Sequence, residues 1–551
     1  VRQEMRWGDL QRDLPAWYEE AKLGIFVHWG AYSVAGWAEP TAQLGEIPED
    51  EGWYAHNPYA EWYFNTIRIP GSPAQQHHRE VWGGCDYDDL LDFWQAEKFD
   101  AAALMRLFAQ AGASYVVLTT KHHDGITLWQ APGTRGRNTV QRGPHRDLVG
   151  EYAQAARRQG LKFGAYYSGG LDWWYRPGPP HLTAASVHDI HRPRDADYAA
   201  YALAHLRDLV RRYQPDVLWN DINWPDAGKE LNTNISLGNF FAEEYYATCP
   251  EGVVNDRWRV PHCDFLTSEY QADRGNEGER PWENCRGLGL SFGYNQMEGE
   301  SEALSVEEAI YTVVDAAARG GRVLLGVSPK ADGQLPAWQV RILEGIGTWM
   351  REGRQILRTI NRPGITPVQV EGAKLEDAAT NGTAPNSAAT NGAAPNSAAT
   401  SNSATGSAAT GNTATNEVAR VITAATGGTG GREYAFVFRP EAQPAAGSRA
   451  EPGNAITGGH SAGSRAEDIT LVAPAGKVLR WCAGPGLPGT GFRAGAGIRT
   501  QVPPAQSGQP ADFAYSAPPT PPAQFLPAGQ RVPVHFAAGS VGPVVFEICE
   551  A

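Results

Sequence analysis

The chain has 551 residues, 42% of them hydrophobic and 20% charged, which is too long for one compact domain and ample for a sizeable core. Its formal net charge is -14 with no basic block, which argues against a nucleic-acid or anionic-membrane partner, since both need a positive field. The six cysteines are scattered without C-x-x-C spacing, so they support neither a zinc ribbon, nor a redox motif, nor a disulfide framework.

The first stretch, VRQEMRWGDLQRDLPAWYEEAKLG, is polar and lacks an apolar signal core, and no run approaches a membrane span. A cytoplasmic, reducing compartment is therefore the expectation, unless a signal peptide was trimmed before Val1. From there short apolar runs alternate with amphipathic ones. Strands are expected at GIFVHWG (24–30), YVVLTTK (115–121), KFGAYYS (162–168), DVLWND (216–221), GVVND (252–256), DFLTSE (264–269), LSFGYN (290–295) and RVLLGVS (322–328). Several are apolar without interruption until their last residues, the signature of parallel strands buried on both faces. Helices are expected at 99–113, at 146–160 ending on Gly160, and at 305–321, where Ser305 and Glu308 form an S-x-x-E capping pattern.

Eight strands with intervening helices predict an α/β fold, an irregular (β/α)8-like TIM barrel over residues 1–360. The strands at 252–256 and 264–269 stand too close for a full helix between them. A doubly wound sheet is the alternative, but no G-x-G-x-x-G or P-loop follows a strand, so nucleotide binding has no support. Residues 378–416 form an uncharged Ala/Thr/Asn/Gly repeat that cannot offset its ordering entropy, and they are expected to be disordered. From about 417 the segments are short, β-rich and broken by Gly and Pro, the pattern of a small β-sandwich within a second domain, 361–551.

In such a barrel the chemistry sits at the C-terminal strand ends. Here those ends bring His28 and Trp29, then His122 and His123, then Tyr166 and Tyr167, then Trp219 and Asp221, then Asp256 and Arg257, then Glu269, with Phe292 and Tyr294 in the run at 290–295. One polar strand end is unremarkable and suits a turn or cap. Six in succession imply a pocket for a ligand with many hydroxyls, and the abundant tryptophans suit the C–H faces of a sugar ring. Two carboxylates in such a pocket suggest glycoside hydrolysis. Asp221 and Glu269 are the natural pair, with Glu61, Asp124, Asp172, Asp226, Asp264, Glu283 and Glu298 as competitors.

The segments LGIFVHWGAYSV, AEWY, YVVLTTKHHDGITLW, KFGAYYSGGLDWW, YQPDVLWND, VVNDRW and RPWENCRGLGLSFGYN, in this order over roughly residues 15 to 335, resemble the α-L-fucosidases of glycoside hydrolase family 29. The WND…NWP and YYSGG forms are most similar to the bacterial, broad-aglycone branch. The resemblance implies a retaining exo-acting enzyme with a covalent fucosyl intermediate, no cofactor and no metal. Asp221 would be the nucleophile and Glu269 the acid/base, with Glu283 second for the latter role. The sugar contacts would be His28, Glu61, Trp62, His122, His123, Tyr166, Trp219, Arg257 and Phe292. Trp219 and Phe292 would wall the fucose methyl. Arg257, near both carboxylates, would keep one ionised. The substrates implied are fucosylated oligosaccharides or glycoconjugates, and the sequence leaves a homo-oligomer open. The eighth strand departs from the family pattern, where Asn and Gly more often stand in place of Gly326 and Ser328.

Two rival readings exist. His28, His122, His123 and Asp221 could form a metal-assisted hydrolase centre. A fucose-binding, inactive relative would keep the pocket without turnover, but the presence of both Asp221 and Glu269 argues against it.

Overall fold

The computed structural model describes residues 4–42, 51–270 and 280–363. Beyond them it describes 369–371, 374–375, 417–419, 421–426, 432–437, 441–442, 467–472, 477–483, 525–526, 531–536 and 543–550. Eight strands form one sheet: β1 (Leu23–Val27), β2 (Tyr115–Lys121), β3 (Lys162–Ser168), β4 (Val217–Asp221), β5 (Val253–Val254), β6 (Leu266–Glu269), β7 (Trp282–Gly287) and β8 (Arg322–Val327). Their order is β5-β4-β3-β2-β1-β8-β7-β6, and every pair is parallel. A single parallel bridge between Asn255 and Phe265 brings the two ends of the sheet together. The result is the expected irregular (β/α)8-like barrel.

The two buried faces follow from the period of two along each strand. Ile25, Val27, Val116, Leu118, Phe163, Ala165 and Leu218 point outward into one core with helical residues such as Met105, Phe108, Val149, Tyr152 and Leu206. Phe26, Tyr115, Val117, Tyr166, Val217, Trp219 and Leu324 point inward into a second core. Helices end where local chemistry says they should. The helix Val306–Ala318 starts at a capping box in which Ser305 Oγ accepts from Glu308 N at 3.1 Å and Glu308 Oε2 accepts from Ser305 N at 2.7 Å. The helix Leu148–Arg158 is capped by Asp147 and followed by Gly160, whose φ of 72° suits a residue without Cβ.

Two strand expectations need correction. The seventh strand is Trp282–Gly287, and residues 290–295 form the loop that follows it. Glu283, Asn284 and Arg286 hid it from an apolar pattern search; the Glu283 and Asn284 side chains are buried and hydrogen-bonded inside the fold. The fifth strand shrinks to two residues because a 3-10 turn, Asp256–Trp258, replaces the missing helix. Asp256 Oδ1 ties that turn to β6 through Thr267 N at 3.1 Å and Thr267 Oγ1 at 2.7 Å.

The helix Ala337–Thr359 leads out of the barrel into a six-stranded antiparallel sheet. Its order is Phe525–Leu526, Lys477–Ala483, Val544–Glu550, Glu433–Val437, Val421–Thr426, Ile360–Pro363. Ala424, Tyr434, Phe436 and Val545 join the outer barrel core, and Trp349 Nε1 donates to Pro543 O at 3.1 Å. The segment 378–416, expected to be disordered, lies outside the described residues. Among the described residues no helix is long and apolar enough to cross a membrane.

Candidate active site

The C-terminal strand ends surround a cavity of ≈ 320 Å³, counting space open to solvent. So small a space suits one ring better than a chain. Every first choice for a catalytic or sugar-contacting role lines it: His28, Glu61, Trp62, His122, His123, Tyr166, Trp219, Asp221, Arg257, Glu269 and Phe292; the strand-end residues Trp29, Asp256 and Tyr294 do not. The loop position of Phe292 costs it nothing, because Glu61 holds that loop. Its Oε2 accepts from Gly293 N at 2.7 Å and from Ser291 Oγ at 3.2 Å.

Asp221 ends β4, and the alternation of the strand puts it on the same inward face as Trp219. Its Oδ1 accepts from Arg257 Nη1 and from Ile222 N, both at 2.8 Å. Its Oδ2 accepts from the Tyr166 hydroxyl at 2.7 Å. Arg257 Nη2 reaches Glu269 Oε2 at 3.0 Å, so one guanidinium holds both carboxylates. Thr267 Oγ1 fixes Arg257 Nε at 3.1 Å, and the guanidinium lies 4.7 Å from the centroid of the Trp219 ring. Burial raises the Glu269 carboxyl above its ordinary value, and the Arg257 cation opposes this without cancelling it.

The three histidines are neutral. Burial lowers His28 and His123, and takes His122 down to about 3. The tautomer of His123 follows from its partner. Ser168 Oγ gives its own proton to Leu171 O at 2.9 Å, so at 2.7 Å from His123 Nδ1 it accepts. The Nε2 lone pair of His123 then faces the cavity, 3.8 Å from Asp221 Oδ2. The Nδ1 atoms of His28 and His122 are buried without a hydrogen-bond partner. These rings offer both donors and acceptors to a hydroxylated ligand.

Tyr166 and Tyr167 separate as alternation requires. Tyr167 points outward and pairs with His205 Nδ1 at 3.0 Å. Glu283, second for the acid/base role, stands outside the cavity lining. It is fully buried and accepts from Tyr18, Tyr115 and Trp219. The other competitors have structural partners: Asp172 pairs with Lys121, Asp124 accepts from Tyr87, Asp226 pairs with Arg192, Asp264 accepts from Tyr246, and Glu298 accepts from Leu290 N. Among the described residues no group of three or more His, Cys, Asp or Glu side chains is arranged to hold a metal ion.

Three lining residues were missed. Phe26 is an ordinary apolar strand residue whose inward face only the closed sheet reveals. Cys285 lies on the strand that the apolar pattern displaced. Tyr59 precedes the AEWY motif by one residue and donates to Glu269 Oε1 at 3.1 Å.

Residues 2–354 match the family model described as alpha-L-fucosidase. The chain is 31% identical over 348 residues to the alpha-L-fucosidase of Dictyostelium discoideum, covering 62% of this chain and 70% of that protein. It is 32% identical over 363 residues to the human plasma alpha-L-fucosidase, covering 64% and 71%. Among solved structures, the Thermotoga maritima alpha-fucosidase in complex with a mechanism-based inhibitor superposes with a TM-score of 0.69 at 31% identity over 100% of both chains. A Thermotoga maritima alpha-L-fucosynthase in complex with alpha-L-Fuc-(1-2)-beta-L-Fuc-N3 superposes with a TM-score of 0.70 at 32% identity, over 98% of each chain. With its barrel, its strand-end pocket and its paired carboxylates, the chain belongs to the alpha-L-fucosidase family of glycoside hydrolases.

Proposed function

We propose that this chain removes terminal α-L-fucosyl residues from fucosylated glycans with retention of configuration, through a covalent fucosyl-enzyme intermediate. The observation that carries this reading is the single Arg257 guanidinium bonded to both Asp221 and Glu269 in one small pocket. In this mechanism Asp221 attacks the anomeric carbon while Glu269 protonates the departing oxygen. Glu269 then takes a proton from the water that releases fucose. Direct attack requires the two carboxyl groups to stand about 5–5.5 Å apart. Burial supports Glu269 as the acid, because it raises that carboxyl toward the working pH.

The unpartnered Nδ1 atoms of His28 and His122 and the lone pair of His123 suit ring hydroxyls, as does Glu61. Phe26, Trp219 and Phe292 offer an apolar wall for the methyl at C5, where other hexoses carry a hydroxymethyl group. The small cavity favours exo action on one terminal sugar. The test is hydrolysis of a panel of fucosylated disaccharides beside an aryl α-L-fucoside, followed by NMR. First-formed α-fucose supports retention, and first-formed β-fucose overturns it. Turnover of many aglycones would support the broad-aglycone branch.

A further inference from the structure

Inside the barrel, beneath the cavity, lies a carboxylate that the reaction does not use directly. Glu283 of β7 is 0% exposed. Its Oε2 accepts from the hydroxyls of Tyr18 at 3.1 Å and Tyr115 at 2.5 Å, and its Oε1 accepts from Trp219 Nε1 at 2.8 Å. Of these three donors Trp219 alone lines the cavity. Besides the tilted Phe26 ring 5.0 Å away, two groups rest on the Trp219 ring. The Arg257 guanidinium lies 4.7 Å from its centroid, and the Tyr166 ring stacks on it at 5.5 Å and 22°. These same two residues grip opposite oxygens of Asp221, and Arg257 also holds Glu269.

We propose that Glu283 is a positioning residue: by pinning the Trp219 indole it sets the surface against which Arg257 and Tyr166 are aligned on Asp221. This rests on the reading of Asp221 and Glu269 as the catalytic pair. Cation–π and stacking contacts both depend on the plane of the ring. Packing restricts an indole, but the N–H bond selects one of the orientations that packing allows. If the ring turns, the guanidinium and the phenol move together, and both oxygens of the nucleophile lose their alignment. A misplacement of about 1 Å at reacting atoms costs about 100-fold in rate.

The experiment compares Glu283→Met, which removes the acceptor, with Glu283→Gln, whose amide oxygen retains one. A third protein carries β-(3-benzothienyl)alanine in place of Trp219, which keeps the ring shape, deletes the N–H and leaves Glu283 intact. Each is assayed for kcat/KM on an aryl fucoside and a fucosyl disaccharide, with thermal denaturation alongside. The Met and benzothienyl proteins should each lose about 100-fold, by the same factor on both substrates. The Gln protein should keep most of its activity. In a Trp219→Phe background Glu283→Met should add little further loss, because no indole N–H remains to hold. Near-normal rates in the benzothienyl protein overturn the proposal and leave the catalytic pair standing, and this arm decides the matter even if the Met protein does not fold. Full additivity in the Trp219→Phe background also overturns it, since the loss would not pass through the indole. Loss confined to the disaccharide, with azide accelerating the aryl substrate in Glu283→Met, would make Glu283 the acid/base and overturn the Glu269 assignment as well.

Discussion

The Tyr166 hydroxyl donates to Asp221 Oδ2 at 2.7 Å, while its chain neighbour Tyr167 faces away and bonds His205. A hydrogen bond to a charged group contributes about 1.5–3 kcal/mol, whereas an unsatisfied buried partner costs about 1–3 kcal/mol. Tyr166→Phe takes a donor from the proposed nucleophile and should lower kcat/KM roughly 10- to 100-fold, with only a modest fall in the denaturation midpoint because Arg257 and Ile222 N still hold Asp221. Tyr167→Phe should do the reverse, destabilising the fold and sparing kcat/KM. Steady-state kinetics and urea denaturation of both variants check the pair, and equal kinetic losses would contradict the alternation drawn from β3.

Asp221→Gly should fold and lose on the order of 10,000-fold or more in kcat, as expected when a catalytic nucleophile is removed. Azide should enter the vacated space, attack from the nucleophile's face and release β-fucosyl azide, detected by NMR. A folded variant with near-normal activity would end the assignment.

Glu269→Ala should nearly abolish turnover of disaccharides, whose alcohols need a proton to depart. Aryl fucosides with acidic phenols should be spared at the first step, because their leaving groups need little help. A plot of log kcat/KM against leaving-group pKa should steepen relative to the wild type. An unchanged slope would remove Glu269 from the acid/base role.

Burial raises the Glu61 carboxyl from 4.5 to about 7, against the opposing bond from Gly293 N. The folded chain thus holds this proton more tightly than the unfolded one. The resulting stability is fully present below about 4.5 and is lost as pH rises through about 7. Glu61→Gln is neutral throughout, so its Tm relative to the wild type should climb between pH 4.5 and pH 7 and then level off. A pH-independent difference in Tm would show that Glu61 does not titrate in this window.

The rate should be unchanged in excess EDTA, because the proposed steps use only protein carboxylates and hydrogen-bond donors. Activity lost to the chelator and restored by a divalent cation would favour the metal-assisted reading of His28, His122, His123 and Asp221.

The chain order of apolar runs and polar strand ends was enough to mark the barrel and most of the residues at its open end, while Glu61, Trp62 and the choice of Tyr166 over Tyr167 came from the resemblance of the motifs. This worked because a strand buried on both faces must be apolar along its length, so a polar residue at its end is conspicuous. The same rule failed for β7, whose Glu283 and Asn284 are polar and buried. Their desolvation is met by Tyr18, Tyr115, Trp219 and Ser268, partners far apart in the chain that no local pattern can supply. For the same reason the resemblance could only rank Glu269 ahead of Glu283, and tertiary structure supplied the physical difference between them. Both are glutamates on adjacent parallel strands. One reaches the open end beside Arg257, and the other lies deeper, under the Trp219 ring. Which carboxylate meets the cavity depends on strand stagger around a closed sheet, a quantity set by long-range pairing and packing and not by the residues on either side.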